Sequence, residues 1–163
     1  MPLERNLLKV FVYGTLKKSL PNHHWLLQTN SGYARFHCDG KTQTKFPLIV
    51  ATKYNIPFLL NVPDTGNHVK GEIYSICESM LKHLDELEEY PELYDREIHK
   101  INGSDGKIHD CWVYMIKNFP NQQDLSNYTL LEEYNNTEEQ PYCEEYGSDV
   151  IDLDTEIKKE SSK

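Results

Sequence analysis

Four carboxylates crowd one short stretch of the chain: Asp85, Glu86, Glu88 and Glu89. Such a group does acid–base chemistry when one member is shielded from water, and is a solvated face when none is. A helical wheel with Leu84 at zero and about 100° per residue separates the four. Cys77, Met80, Leu81 and Leu87 fall within about 60° of Leu84, and Glu88, at about 40°, lies inside that apolar stripe. Glu86 and Glu89 point away, and Asp85 sits at the edge. A carboxylate on the apolar side is costly unless it is partnered or protonated. Two readings are open on this pattern. Either Glu88 escapes to solvent at the helix end or pairs with a base such as Arg96, or it lines a cavity with a raised pKa, as a catalytic acid/base does.

A second place for chemistry is Val12-Tyr13-Gly14-Thr15-Leu16. An apolar run stops at a glycine, where the backbone bends freely and can come close to a ligand. N–H and C=O groups released there can hold a small zwitterion, and the same residues also suit an ordinary strand-to-turn junction. Other chemistries lack their residues. The 7 histidines include His23-His24 but no H-E-x-x-H, and no G-x-S-x-G occurs. Cys38, Cys77, Cys111 and Cys143 form no C-x-x-C pair and read as free thiols of a reducing compartment. The reading calls for no metal and no cofactor.

The elements that must position these residues are mostly strands. Leu7 to Tyr13 is a short apolar, β-rich run. Pro21 opens a short helical stretch carrying Trp25, Leu26 and Leu27. Segments around 32–44 and 47–51 read as strands, Asn55 to Asn61 as a turn entering another, and Val69 to Ile76 as a strand feeding a helix. That helix is expected from about Cys77 to Glu89, with Ser75 and Glu78 as a capping box and Pro91 just past its end. Arg96–Ile101 and Ile108–Ile116 form a hairpin pair around Asn102-Gly-Ser-Asp-Gly106. The pattern predicts an α+β fold with a mixed, barrel-like sheet and one main helix.

Composition limits the partners. The chain has 163 residues, 38% hydrophobic and 26% charged, enough for one domain with a core. From Asn121 onward 12 acidic residues face 3 lysines, a balance of −9, whereas the 14 acids and 14 bases of residues 1–120 cancel. A neutral body with an acidic tail suits neither nucleic acid nor an anionic membrane surface. No apolar run approaches the roughly 20 residues of a bilayer span. The opening residues lead straight into a strand, so no export signal and a cytoplasmic location are expected. Three N-x-S/T matches, at Asn102, Asn127 and Asn135, then read as chance. A body of residues 1–120 and an acidic tail of 121–163, partly ordered at first and disordered from about 140, is the expected division.

The ordered set of motifs resembles the γ-glutamylamine cyclotransferase branch of the γ-glutamylcyclotransferase-like (AIG2-like) family. The resemblance runs through Val10-Phe-Val-Tyr-Gly-Thr-Leu-Lys17, Pro21-Asn-His23, Phe46-Pro-Leu48, Asn55-Ile-Pro-Phe-Leu-Leu60 and Val69-Lys-Gly-Glu-Ile-Tyr74. It continues through Met80-Leu81, Leu84-Asp85, Glu88, Leu93-Tyr94-Asp-Arg96 and Val113-Tyr114, covering about residues 8 to 120. An insect troponin C-akin type member is also similar, although Asp149, Asp152 and Asp154 do not follow a calcium-loop spacing.

The resemblance implies an enzyme of lyase or acyltransferase type that closes a γ-glutamyl group into 5-oxoproline and frees an amine. By it, Tyr13, Gly14, Thr15 and Leu16 hold the α-amino and α-carboxyl groups, largely through backbone atoms. Glu88 is the catalytic residue, Tyr94 and Tyr114 stand near the cavity, and Pro57 is expected to follow a cis bond. The implied partner is a small γ-glutamyl amide, with γ-glutamyl-ε-lysine from transglutaminase crosslinks the first choice. γ-Glutamyl amino acids are the alternative substrates, and a non-catalytic binding protein on the same fold is the alternative class. The tail after about residue 121 has no counterpart in the resemblance.

Overall fold

The computed structural model describes residues 8–27, 32–120, 124–135 and 157–162. Its strands are β1 (Leu8–Val12), β2 (Ala34–Thr42), β3 (Leu48–Ala51), β4 (Ile56–Leu59), β5 (Lys70–Ile76), β6 (Tyr94–Gly103) and β7 (Ile108–Ile116), and α1 spans Glu78–Leu87. Five strands close a barrel in the order β1-β5-β2-β6-β7, and β3 pairs with β4 in a separate two-stranded sheet. The pairs are antiparallel except β1 with β7, which run parallel with Val10 opposite Trp112. The predicted α+β fold with a mixed barrel-like sheet and one main helix is what the chain adopts.

The β6–β7 hairpin is in register from Tyr94↔Ile116 to Asn102↔Ile108; β7 alternates in burial up to Val113 and is buried throughout from Val113 to Ile116. One core gathers Val10, Val12, Ile76, Met80, Leu84, Tyr94 and Tyr114. The other gathers Phe11, Ile73, Ile101, Cys111, Val113 and Tyr134. The helix turns its predicted stripe inward, burying Met80, Leu81 and Leu84. Among the described residues no helix is long and apolar enough to cross a membrane.

Three expectations need correction. The expected capping box is absent: Ser75 lies inside β5, and the N-cap is Cys77, which makes no side-chain cap hydrogen bond. Strand pairing has claimed Ser75 before the helix begins. The helix also stops at Leu87, with Glu88 as its C-cap. The cis bond among the described residues is Tyr90–Pro91 and not the one before Pro57; Pro57 sits in the regular pairing of β4 with β3, opposite Val50.

Residues 124–135, in the segment expected to be ordered only in part, return to the barrel. Lys70 N–H donates to Glu132 O, Leu131 N–H to Leu48 O and Asn67 Nδ2 to Leu130 O. Tyr134 is fully buried. Most of the segment expected to lack order, 140–156, lies outside the described residues. The chain end at 157–162 is helical, with Ile157 in the first core and Glu160 buried. Glu160 Oε1 accepts from Tyr128 Oη at 2.8 Å and from Thr52 N–H at 3.3 Å.

Candidate active site

The C-terminus of α1 is built so that Glu88 cannot follow its acidic neighbours into water. Glu89 takes a left-handed φ of 51°. Its N–H donates to Glu86 O, and Tyr90 N–H reaches back to Asp85 O at 2.9 Å. This pair of bonds is a Schellman cap, a place usually given to glycine. The reversal takes Glu89 outward and leaves Glu88 half-buried at the cap.

Glu88 is half-buried where Glu86 and Glu89 are exposed, and the pairing with Arg96 weighed from the sequence does not occur. Arg96 gives its guanidinium to Asp85 instead, Nε to Oδ1 at 2.8 Å and Nη2 to Oδ2 at 3.2 Å. It lies between the rings of Tyr90 and Trp112, 4.5 and 4.4 Å from their centroids. Tyr114 Oη donates to the same Asp85 Oδ1 at 2.6 Å. Asp85, at the edge of the wheel, therefore clamps α1 to both strands of the β6–β7 hairpin. Its spacing from Arg96 and Tyr114 follows no local period, so sequence reasoning missed it.

With Arg96 committed elsewhere, Glu88 has no cation among the described residues to hold its charge. Its side chain accepts no hydrogen bond among the described residues. Burial, and then the charge of Glu89, push its carboxyl up to about 7 from an ordinary 4.5. The charge of Glu88 is felt by two phenols. Tyr13 is raised first by burial and then by Glu88, and Tyr114 first by burial, then by its bond to Asp85, with Glu88 adding to the effect. Tyr94 is buried in β6 and stacks on Phe58. The structure thus brings Glu88 into one neighbourhood with the end of β1 and with β7.

The turn after β1 presents a defined pattern. Tyr13 Oη donates to Tyr114 O at 2.5 Å, so the phenol braces β1 to β7. Gly14 O accepts from Lys17 N–H, and Thr15 O from Asn22 N–H. Thr15 Oγ1 accepts from Asn22 Nδ2, and Leu16 O meets His23 Nδ1 at 2.9 Å. The carbonyls are thereby occupied, while the N–H groups of Thr15 and Leu16 donate to none of the described residues. Gly14 lies against Pro57: a Cβ at Gly14 would stand 3.0 Å from Pro57 Cγ. Lys17, just beyond, is buried and donates to Tyr134 O at 2.7 Å, tying the turn to the returning segment.

The closed barrel carries one helix on its flank, with Glu88 at that helix's C-cap and the turn Tyr13–Leu16 at the end of β1. The chain matches the family described as "Gamma-glutamyl cyclotransferase, AIG2-like" over residues 10–136, and it belongs to that family. The match extends past the expected boundary at 120, as the returning segment does. A Drosophila melanogaster relative provisionally named as a gamma-glutamylcyclotransferase is 53% identical over 136 residues, covering 83% of this chain and 85% of its own. A Danio rerio gamma-glutamylaminecyclotransferase C is 51% identical over 115 residues, covering 68% of this chain and 76% of its own. The crystal structure of an AIG2-like protein from Mus musculus superposes with a TM-score of 0.79 at 34% identity, covering 84% of this chain and 95% of that one.

Proposed function

We propose that the protein is a γ-glutamylamine cyclotransferase that releases 5-oxoproline and a free amine from a γ-glutamyl amide, with Glu88 as its general acid/base. The observation that carries this reading is the Glu88 carboxyl, half-buried without a counter-ion among the described residues and raised to about 7. The substrate brings its own nucleophile. Its α-amine reaches the γ-carbonyl to form a five-membered ring, so holding the chain folded supplies much of the rate. Glu88 takes a proton from the α-ammonium as the nitrogen attacks. A tetrahedral oxyanion forms, and the bond to the leaving nitrogen breaks as Glu88 returns the proton to that nitrogen. The ring nitrogen's second proton passes to the freed amine, which departs as an ammonium. No water is consumed, and the protein forms no covalent bond to the substrate.

The turn Tyr13-Gly14-Thr15-Leu16 holds the glutamyl head. The free N–H groups of Thr15 and Leu16 suit the α-carboxylate or the oxyanion, since consecutive amides make an anion cradle. A carboxyl near 7 serves both halves of the reaction, because it gains and loses a proton with little penalty at neutral pH. γ-Glutamyl-ε-lysine is the preferred substrate in this reading.

The test is 5-oxoproline release from γ-glutamyl-ε-lysine, side by side with γ-glutamyl amino acids. Glu88→Gln is expected to lose about 10²–10⁴ of the rate. A wild-type protein inert on every γ-glutamyl amide overturns the reading; turnover on γ-glutamyl amino acids alone overturns only the substrate choice.

A further inference from the structure

A second cluster of reactive side chains lies away from Glu88. His37 and Cys38 come from β2, Asp105 from the β6–β7 turn, and His109 from the start of β7. One donor atom from each lies within 4.8 Å of all the others. From His109 to Tyr114, near Glu88, β7 runs five residues, about 17 Å.

Two local features assemble the cluster. The pairing of β2 with β5 slips between Phe36 and Cys38, leaving His37 as an extra residue. A bulge breaks the strict alternation of a strand and re-aims its side chains, so sequence neighbours can reach one place. Gly103 provides the space: a Cβ there would stand 2.5 Å from Asp105 Oδ1 and 2.9 Å from His109 Cδ2. His109 Nε2 lies 2.9 Å from Asp105 Oδ2, and His37 Nε2 lies 3.3 Å from the same oxygen. Cys38 and His109 are buried, while His37 and Asp105 are exposed at the mouth, so the inner donors are fixed and the outer two leave an approach.

We propose that His37, Cys38, Asp105 and His109 bind a divalent cation of tetrahedral preference, with zinc as the ion their chemistry suits. Two imidazoles, one thiolate and one carboxylate are ordinary zinc donors, and the two anionic ligands balance its charge. Magnesium and calcium favour all-oxygen sets and are disfavoured here. Bonds of about 2.0–2.3 Å place tetrahedral donors roughly 3.3–3.8 Å apart, so side-chain rotations of about 1 Å close the set.

Binding moves protons in a defined way. Cys38 gives up its thiol proton, and His109 must offer Nε2 bare, with its own proton on Nδ1. Lys9 Nζ stands 2.8 Å from that Nδ1, where an ammonium can only donate. The contact with Lys9 therefore favours the opposite tautomer, with Nε2–H directed at Asp105. Loading the cation displaces the Lys9 ammonium, which makes Lys9 an antagonist of the site. The cation would pin the β6–β7 turn to β2 and have no part in turnover at Glu88.

The experiment titrates the purified full-length protein with Zn²⁺ against a chromophoric chelator, and with Co²⁺ as an optical probe. One equivalent is expected per chain, with a thiolate-to-cobalt charge-transfer band. Cys38→Ser abolishes the band, whereas Cys77→Ser keeps it. His37→Ala, at an exposed position, keeps the fold and weakens Zn²⁺ binding by more than about 10-fold. Lys9→Met strengthens it, which a purely structural His–Asp clasp would not produce. Zn²⁺ raises the Tm of the wild type and leaves that of His37→Ala unmoved. Binding that survives both Cys38→Ser and His37→Ala, or no binding of Zn²⁺ by the wild type, overturns the proposal.

Discussion

Glu88 sets function against stability within one side chain. Its carboxyl stands near 7 when folded and at an ordinary 4.5 otherwise. An acid whose folded pKa is raised binds its proton more tightly in the folded state. Its contribution is therefore fully present below about pH 4.5, fades as pH rises towards 7, and is lost above that. Glu88→Gln removes the penalty: at pH 8 the variant should be more stable than the wild type by up to about 3 kcal/mol, and near pH 4 no more stable. Urea unfolding at the two pH values measures this. A variant that gains stability while losing turnover is expected where a site is maintained for chemistry.

At the scale of elements, the clamp around Asp85 matters most. One carboxylate holds Arg96 from β6 and Tyr114 from β7 against α1. Asp85→Asn leaves a part-buried guanidinium without its counter-ion and should cost about 1–3 kcal/mol. Because α1 then loosens under Glu88, kcat should fall more than KM rises; thermal unfolding and steady-state rates check both halves.

The helix α1 was legible because its burial follows period 3.6, as Met80, Leu81 and Leu84 show, and strands such as β1 and β4 were legible as short apolar runs bounded by turn residues. The place of Glu88 on the apolar stripe was legible for the same reason, and the strand-end turn was legible from Gly14. The clamp was not, since Asp85, Arg96 and Tyr114 meet only once the hairpin has folded beside the helix. The cap was misread because strand pairing took Ser75 and because Glu89 fills a left-handed position where glycine is the usual signal. The bulge at His37 leaves no mark in an alternating pattern.

For the whole molecule, the segment after residue 120, expected to be ordered only in part, packs on the barrel at 124–135. Residues 124–135 hold Leu125, Tyr128, Leu130, Leu131 and Tyr134 beside Asp124, Glu132 and Glu133 with no base, and the charge balance hides these apolar anchors. Yet Tyr134 is fully buried, and its carbonyl receives Lys17 beside the strand-end turn. Ending the chain at residue 120 should therefore lower Tm sharply and impair turnover, where a solvated tail would leave both unchanged. The Tyr134 hydroxyl is buried without a hydrogen-bond partner among the described residues. Tyr134→Phe should accordingly match or exceed the wild type in stability by about 1 kcal/mol, whereas Tyr134→Ala should lose about 3–5 kcal/mol.

The parallel seam of β1 and β7 has a consequence for synthesis. Val10 meets Trp112, and even the antiparallel partner Ile76 lies far downstream of Leu8. A ribosome adding about 5–20 residues per second must therefore hold β1 without its final neighbour for roughly 5–20 s. During that interval Leu-Lys-Val-Phe-Val is an open apolar edge, and its single lysine is the one charge that discourages it from pairing with another nascent chain.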